Sequence, residues 1–111
     1  MATLAVQKIV RTGLELVPVA ATGGGDAFPN DGKTFIYVNN ASGGDITVTI
    51  VSQQTIDGLA VADKAVIVTA SEARYIGPWP IPLYNDANGL VQLTYSGVTS
   101  LTVAALRLGD A

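Results

Sequence analysis

Alternation with a period of two runs through most of this chain, and it narrows the possible folds more than any other feature. In residues 45–52, Ile46, Val48 and Ile50 fall on one side of an extended backbone. Thr47, Thr49 and Val51 fall on the other, as a strand requires. Residues 34–39 set Phe35 and Tyr37 against Ile36 and Val38. Apolar groups on both faces point to a strand in the middle of a sheet. Residues 64–69 place Ala65 and Ile67 opposite Val66 and Val68, and residues 90–95 put Val91, Leu93 and Tyr95 on one side. Residues 100–108 set Leu101, Val103, Ala105 and Arg107 against Thr102, Ala104, Leu106 and Leu108. Residues 14–20 read as a further apolar strand, with Pro18 marking an edge or a break.

Turn chemistry separates these runs. Gly23-Gly24-Gly25-Asp26 and Pro29-Asn30-Asp31-Gly32 bracket Phe28. Asn39 to Gly44 joins two strands at hairpin distance. Residues 85–89 end in Asn88-Gly89, a favoured pair for a type I′ turn, and Ser96-Gly97 makes the last turn. Only residues 54–62 leave room for a helical turn, with Asp57 or Asp63 as its cap. The expected fold is all-β: a single-domain antiparallel β-sandwich, jelly-roll-like or immunoglobulin-like, of about seven to eight short strands. Residues 14–111 are expected to form the sandwich. Residues 1–13, where Leu4, Val6, Ile9 and Val10 mix the two periods, are expected as an N-terminal arm or a first strand.

Residues 75–84 interrupt the strand pattern. They hold Pro78, Pro80 and Pro82, the only tryptophan, Trp79, and the tyrosines Tyr75 and Tyr84. Alternating prolines argue against a helix and remove donors that a central strand needs. The segment therefore reads as a stiff, extended end loop, with Ile76 and Ile81 facing inward. It either caps the core or offers a surface to a partner. Trp and Tyr are enriched at interface hot spots, and a rigid segment loses little entropy on docking. Tyr75, Pro78, Trp79, Pro80, Leu83 and Tyr84 are thus candidate interface residues, and Leu4 and Val6 of the arm are a second set. Trp79→Ala is expected to weaken docking more than it lowers stability.

The chemistry available is narrow. The chain has neither histidine nor cysteine, which removes the usual general base, metal ligand, pH switch and thiol. Its six basic residues are scattered and the net charge is −3, which disfavours nucleic acid as a partner. No run is apolar for long enough to span a bilayer, and no signal peptide is evident, so a soluble protein made in a cytoplasm is expected. Charged residues make up 14% of the chain, against about 25% in an average soluble domain. Either a small-residue surface or a surface hidden in an assembly would account for this.

Two oxygen-rich loops, one with Asp26, Asn30 and Asp31 and one with Asn85, Asp86 and Asn88, have calcium-type donors but match no EF-hand. Turns demand the same residues for conformational reasons, so no metal and no cofactor is expected. Gly23-Gly24-Gly25 lacks the Gly-Lys-Ser/Thr of a phosphate loop. Serine and threonine are common but no general base accompanies them, and no carboxylate pair stands out, so no enzyme is expected. Trp79, Tyr75 and Tyr84 would suit a sugar-stacking platform or the cap of an open sandwich end.

Certain segments are distinctive in combination. Thr12-Gly13-Leu14 is followed by Gly25-Asp26-Ala27-Phe28-Pro29-Asn30-Asp31-Gly32-Lys33-Thr34-Phe35. Then come Ile46-Thr47-Val48-Thr49-Ile50, Tyr75-Ile76-Gly77-Pro78, Tyr84-Asn85-Asp86 and a closing Val103-Ala104-Ala105-Leu106-Arg107-Leu108. Over nearly its whole length the chain resembles small structural proteins of tailed bacteriophages that decorate or cement the capsid. The resemblance implies a β-sandwich on the outside of an icosahedral shell, made in the bacterial host cytoplasm. It also implies the major capsid protein as partner, a homo-oligomer (trimer or dimer) and no catalytic residues. A phage tail or head–tail joining component and a small carbohydrate-binding β-sandwich module are the alternative readings.

Overall fold

The computed structural model describes residues 2–108, apart from the side chains of Ala2, Ile56 and Ala60. Residues 109–111 of the expected sandwich unit lie outside the described part. The alternating runs become strands because each places one apolar row on an inner face. The chain order is β1 (Ala2–Thr3), β2 (Val6–Ile9), β3 (Val19–Ala20), β4 (Asp26–Pro29), β5 (Phe35–Asn40) and β6 (Ile46–Val51). Then follow β7 (Thr55–Ile56), β8 (Leu59–Ala60), β9 (Lys64–Val68), β10 (Glu72–Ile76), α1 (Ile81–Tyr84), β11 (Leu90–Tyr95) and β12 (Leu101–Leu108). Among the described residues eight of these strands have four residues or more.

The first sheet runs β1-β4-β11-β6-β9, and the second runs β10-β5-β12-β2 with β3 also beside β12. The protein is an all-β sandwich. From β4 to β12 every connection except that from β6 to β9 passes from one sheet to the other. The ladders are antiparallel except where the N-terminal segment joins: β1 lies parallel to β4, and β2 parallel to β12. Between those two strands Leu4 is buried, so residues 2–9 stitch one edge of both sheets together.

The inner faces supply a dense aliphatic core. Ile36 and Val38 of β5, Val48 and Ile50 of β6, Val91 and Leu93 of β11, and Val103 of β12 are fully buried around Phe28. Burying one such side chain stabilises by about 1.5–3 kcal/mol. As its two apolar faces imply, β5 is central, between β10 and β12.

Four local expectations are corrected. Of residues 14–20 only Val19–Ala20 form a strand, because Pro18 cannot donate and β2 already occupies the rest of that β12 edge. Residues 54–62 hold the β7–β8 hairpin, not a helical turn. Asp57 and Gly58 both have positive φ (56° and 78°), which a type I′ turn needs. In residues 85–89 only Gly89 has positive φ, so the loop is a type I turn closed by Gly89, not a type I′ turn. Lastly, residues 75–84 are not extended throughout. Tyr75 and Ile76 end β10, and Ile81–Tyr84 form one helical turn despite Pro82. Proline is tolerated there because the first turn of a helix has no acceptor for its N–H. Ile76 faces inward as expected, whereas Ile81 is 45% exposed.

Candidate functional site

One end of the sandwich is closed by the loops after β4, β10 and α1. Trp79 and Tyr84 drop into the core and pack edge-on, with ring centroids 5.1 Å apart. Amides hold this plug in place. Buried Asn30 donates from Nδ2 to the Trp79 carbonyl (2.9 Å) and to Asn85 Oδ1 (2.7 Å). Asn85 in turn donates from Nδ2 to the Asn30 carbonyl (2.9 Å). Gly77, at φ +139°, lies so close to Phe35 that a Cβ there would sit 2.8 Å from the Phe35 Cβ.

The acids of these loops serve the turns. The backbone N–H of Lys33 donates to Asp31 and holds its carboxyl below the usual range, with the Thr34 hydroxyl and Arg107 adding to the effect. Asp86 is held low chiefly by the backbone N–H of Leu90, then by the Gln92 amide and the N–H of Asn88. Among the described residues no group of three His, Cys, Asp or Glu side chains is placed to hold a metal ion.

The opposite end is closed differently. Buried Asp26 accepts on Oδ2 from the Thr22 N–H (3.1 Å) and the Tyr95 hydroxyl (2.8 Å), while its Oδ1 has no partner. Burial, and then the Asp26 carboxylate, push the Tyr95 phenol well above its ordinary pKa of 10.0.

The two outer faces also differ. On the first sheet the outward rows are Thr47, Thr49 and Val51 of β6, Gln92 and Thr94 of β11, and Ala65 and the exposed Ile67 of β9. The second sheet turns Phe35 and Tyr37 of β5 outward beside Tyr75 of β10. The rings touch: Tyr75 lies 5.2 Å from Tyr37 and 6.2 Å from Phe35. On the same face the paired residues Leu108 and Ile9 are exposed. Val10, Val17 and Val19 are also exposed. The segment carrying Val17 is clipped to β2 by Gln7, whose side-chain amide bonds both the N–H and the carbonyl of Val17 at 3.0 Å.

The eight expected interface residues are therefore split. Tyr75, Pro78 and Pro80 are exposed, and Leu83 and Val6 are half-buried. Trp79, Tyr84 and Leu4 are buried in the chain's own core, at 6%, 9% and 5% exposure. An indole so placed carries packing energy, so loss of stability replaces loss of docking as the expected first effect of Trp79→Ala. Trp79, Tyr75 and Tyr84 form no common platform, since Tyr75 points outward and the other two inward. The outward aromatic group is instead exposed Tyr75 with half-buried Phe35 and Tyr37. The alternation in β5 held its signal, with two aromatics on one side and two aliphatics on the other. The partner from β10 was hidden because Glu72 to Arg74 carry no apolar row.

No family model, no curated protein and no solved structure matches the chain. Among the described residues no helix is long and apolar enough to cross a membrane.

Proposed function

We propose that this chain is a structural virion protein that binds the outside of a phage capsid and stabilises the shell. The observation that carries this reading is the difference between the outer faces. The second sheet sets three contacting aromatics outward, Tyr75 exposed and Phe35 and Tyr37 half-buried, with exposed Ile9 and Leu108 on the same face, where the first sheet turns out threonine, glutamine and alanine and, as an exposed large apolar side chain, Ile67. Tyr75 and Leu108 are 66% and 65% exposed, a large apolar area for a chain to leave in water. Docked on the major capsid protein, as a dimer or trimer, such a face would strengthen subunit junctions at many equivalent positions. The sequence resemblance to decoration proteins supports the same reading.

The test is a cryo-EM map and protein count of particles of the phage that carries the chain. Outer-surface density and on the order of hundreds of copies per particle are expected. A few copies at the neck or tail would select the joining-component reading instead. Tyr75→Glu and Leu108→Glu should weaken particle binding about tenfold or more with little change in melting temperature. Thr49→Glu on the other face should change neither. Equal occupancy by all three variants would sink the proposal.

A second reading has one specific support. An exposed aromatic row is also how proteins stack sugars. A glycan panel at millimolar concentration, read by heat of binding, separates the two, because a decoration protein should give no response.

A further inference from the structure

One long edge of the sandwich is open. β9 ends the first sheet and β10 ends the second, so each has one side with no strand beside it among the described residues. Between them lies a cleft of about 630 Å³ lined by Lys64 and Val66 of β9 and by the stretch from Arg74 to Trp79. Its walls carry cations. Lys64 and Arg74 occupy the positions of β9 and β10 that share the inward side with Val66 and Ile76. They are two of only six basic residues in a chain of net charge −3. The acid paired with Arg74 is Glu72 on the same strand, at 3.3 Å and with both side chains about half exposed.

A third donor belongs to the same cleft. The indole of Trp79 is 6% exposed, and its Nε1–H has no acceptor. It lies against Gly77: a Cβ on that glycine would be 3.2 Å from Nε1. A buried donor without an acceptor is costly, and a ligand that brings an acceptor oxygen removes that cost.

We propose that this cleft binds an extended acidic segment of a partner protein, with a carboxylate held between Lys64 and Arg74. The free edge of β10 offers backbone groups to such a segment, as in strand addition. The two cations offer charge-assisted hydrogen bonds to its carboxylate. The unpaired indole N–H of Trp79 lies buried beside Gly77, one of the lining residues. Charge complementarity selects an acidic occupant over a neutral or basic one. The inference concerns a different surface from the capsid reading, which rests on the outer face of the second sheet, although Tyr75 borders both; its test therefore uses Lys64 and Arg74, which lie outside that face.

Trp79 is the only tryptophan, so its fluorescence reports on the cleft directly. The probe is N-acetyl-triglutamate, with N-acetyl-triglutamine at matched ionic strength as control. Calorimetry runs in parallel, so that a silent fluorophore is not mistaken for absent binding. A saturable response to the acidic peptide alone is expected. Arg74→Gln and Lys64→Gln should each weaken it about tenfold or more, because each removes a charge-assisted bond. Both side chains lie on exposed positions, and an unchanged melting temperature confirms that each variant is folded. No saturable binding up to about 10 mM overturns the proposal. So does an equal response to triglutamine or wild-type affinity in both variants. In those cases the inward charges only guard the open edge against pairing.

Discussion

The two ends of this sandwich are closed by opposite means. At one end two aromatic rings fill the gap, and neutral amides from Asn30 and Asn85 tie the loops across it. At the other a carboxylate, Asp26, gathers a backbone N–H and a phenol. Each end leaves one buried polar atom without a partner, Trp79 Nε1 and Asp26 Oδ1 respectively. The contrast teaches that closing a sandwich demands volume and satisfied backbone groups but no particular chemistry. It also separates how the ends should fail: the first mainly by lost packing, the second mainly by lost geometry and proton balance.

The sharpest test of that contrast is Trp79→Ala. Removing a buried indole should cost about 3–5 kcal/mol, read from urea unfolding. A loss below about 1 kcal/mol would show that the plug is not what closes the first end. At the other end Gly25→Ala should cost about 3 kcal/mol or more. Gly25 sits at φ +100°, and an added Cβ would collide with the Leu93 carbonyl oxygen. A mild effect there would mean that the second end tolerates movement where the first does not.

Smaller effects probe the polar locks. Asn85→Ala removes a bonded pair with Asn30 and should cost about 1–3 kcal/mol. Asn85→Asp should restore less than half, since it returns an acceptor for Asn30 but no donor for its carbonyl. The least effect, and the most diagnostic, is in pH. Tyr95 has its pKa raised in the folded state above the unfolded value of 10.0. Its contribution is therefore complete below about pH 10 and is lost as pH rises beyond it. Tyr95→Phe should flatten the alkaline loss of stability. At the first end Asp86 is held below the ordinary aspartate value of 3.8, so its contribution is present above that pH and lost as pH falls through the acid range. Asp86→Asn should flatten the acid limb and leave the alkaline limb alone. If either variant altered both limbs, the ends would not be independent.

Much of this fold was legible from alternation. β5, β6, β9, β11 and β12 each carry an apolar inner row, with polar or charged members (Asn40, Lys64, Arg107) only near strand ends, and the period alone places them. β4 was not legible, because its inward residues are Asp26 and Phe28 inside a Gly/Pro/Asn-rich stretch. An inward acid breaks the pattern that a strand normally shows, and here it is the very group that closes one end. The β7–β8 hairpin did have a readable signal, Asp57-Gly58, which is favoured in type I′ turns. Proline spacing in residues 75–84 was informative about stiffness but misleading about shape. It cannot distinguish an extended strip from a single helical turn entered at its first residues. The aromatic patch needed β10 beside β5, a pairing between distant residues that no local pattern encodes.

The way the chain shuttles between sheets has a consequence for how it comes to exist. Phe28 pairs with Val91 and Ile36 with Ala105, so the central ladders of both sheets wait for the last quarter of the sequence. Such distant pairings must close long loops before they gain contacts, which places folding in the range of milliseconds to seconds rather than microseconds. During synthesis the partly made chain has β5 and β6 in hand but not β11 or β12, the strands that they pair with inside each sheet. Its aliphatic rows stay open to other chains until β11 and β12 arrive.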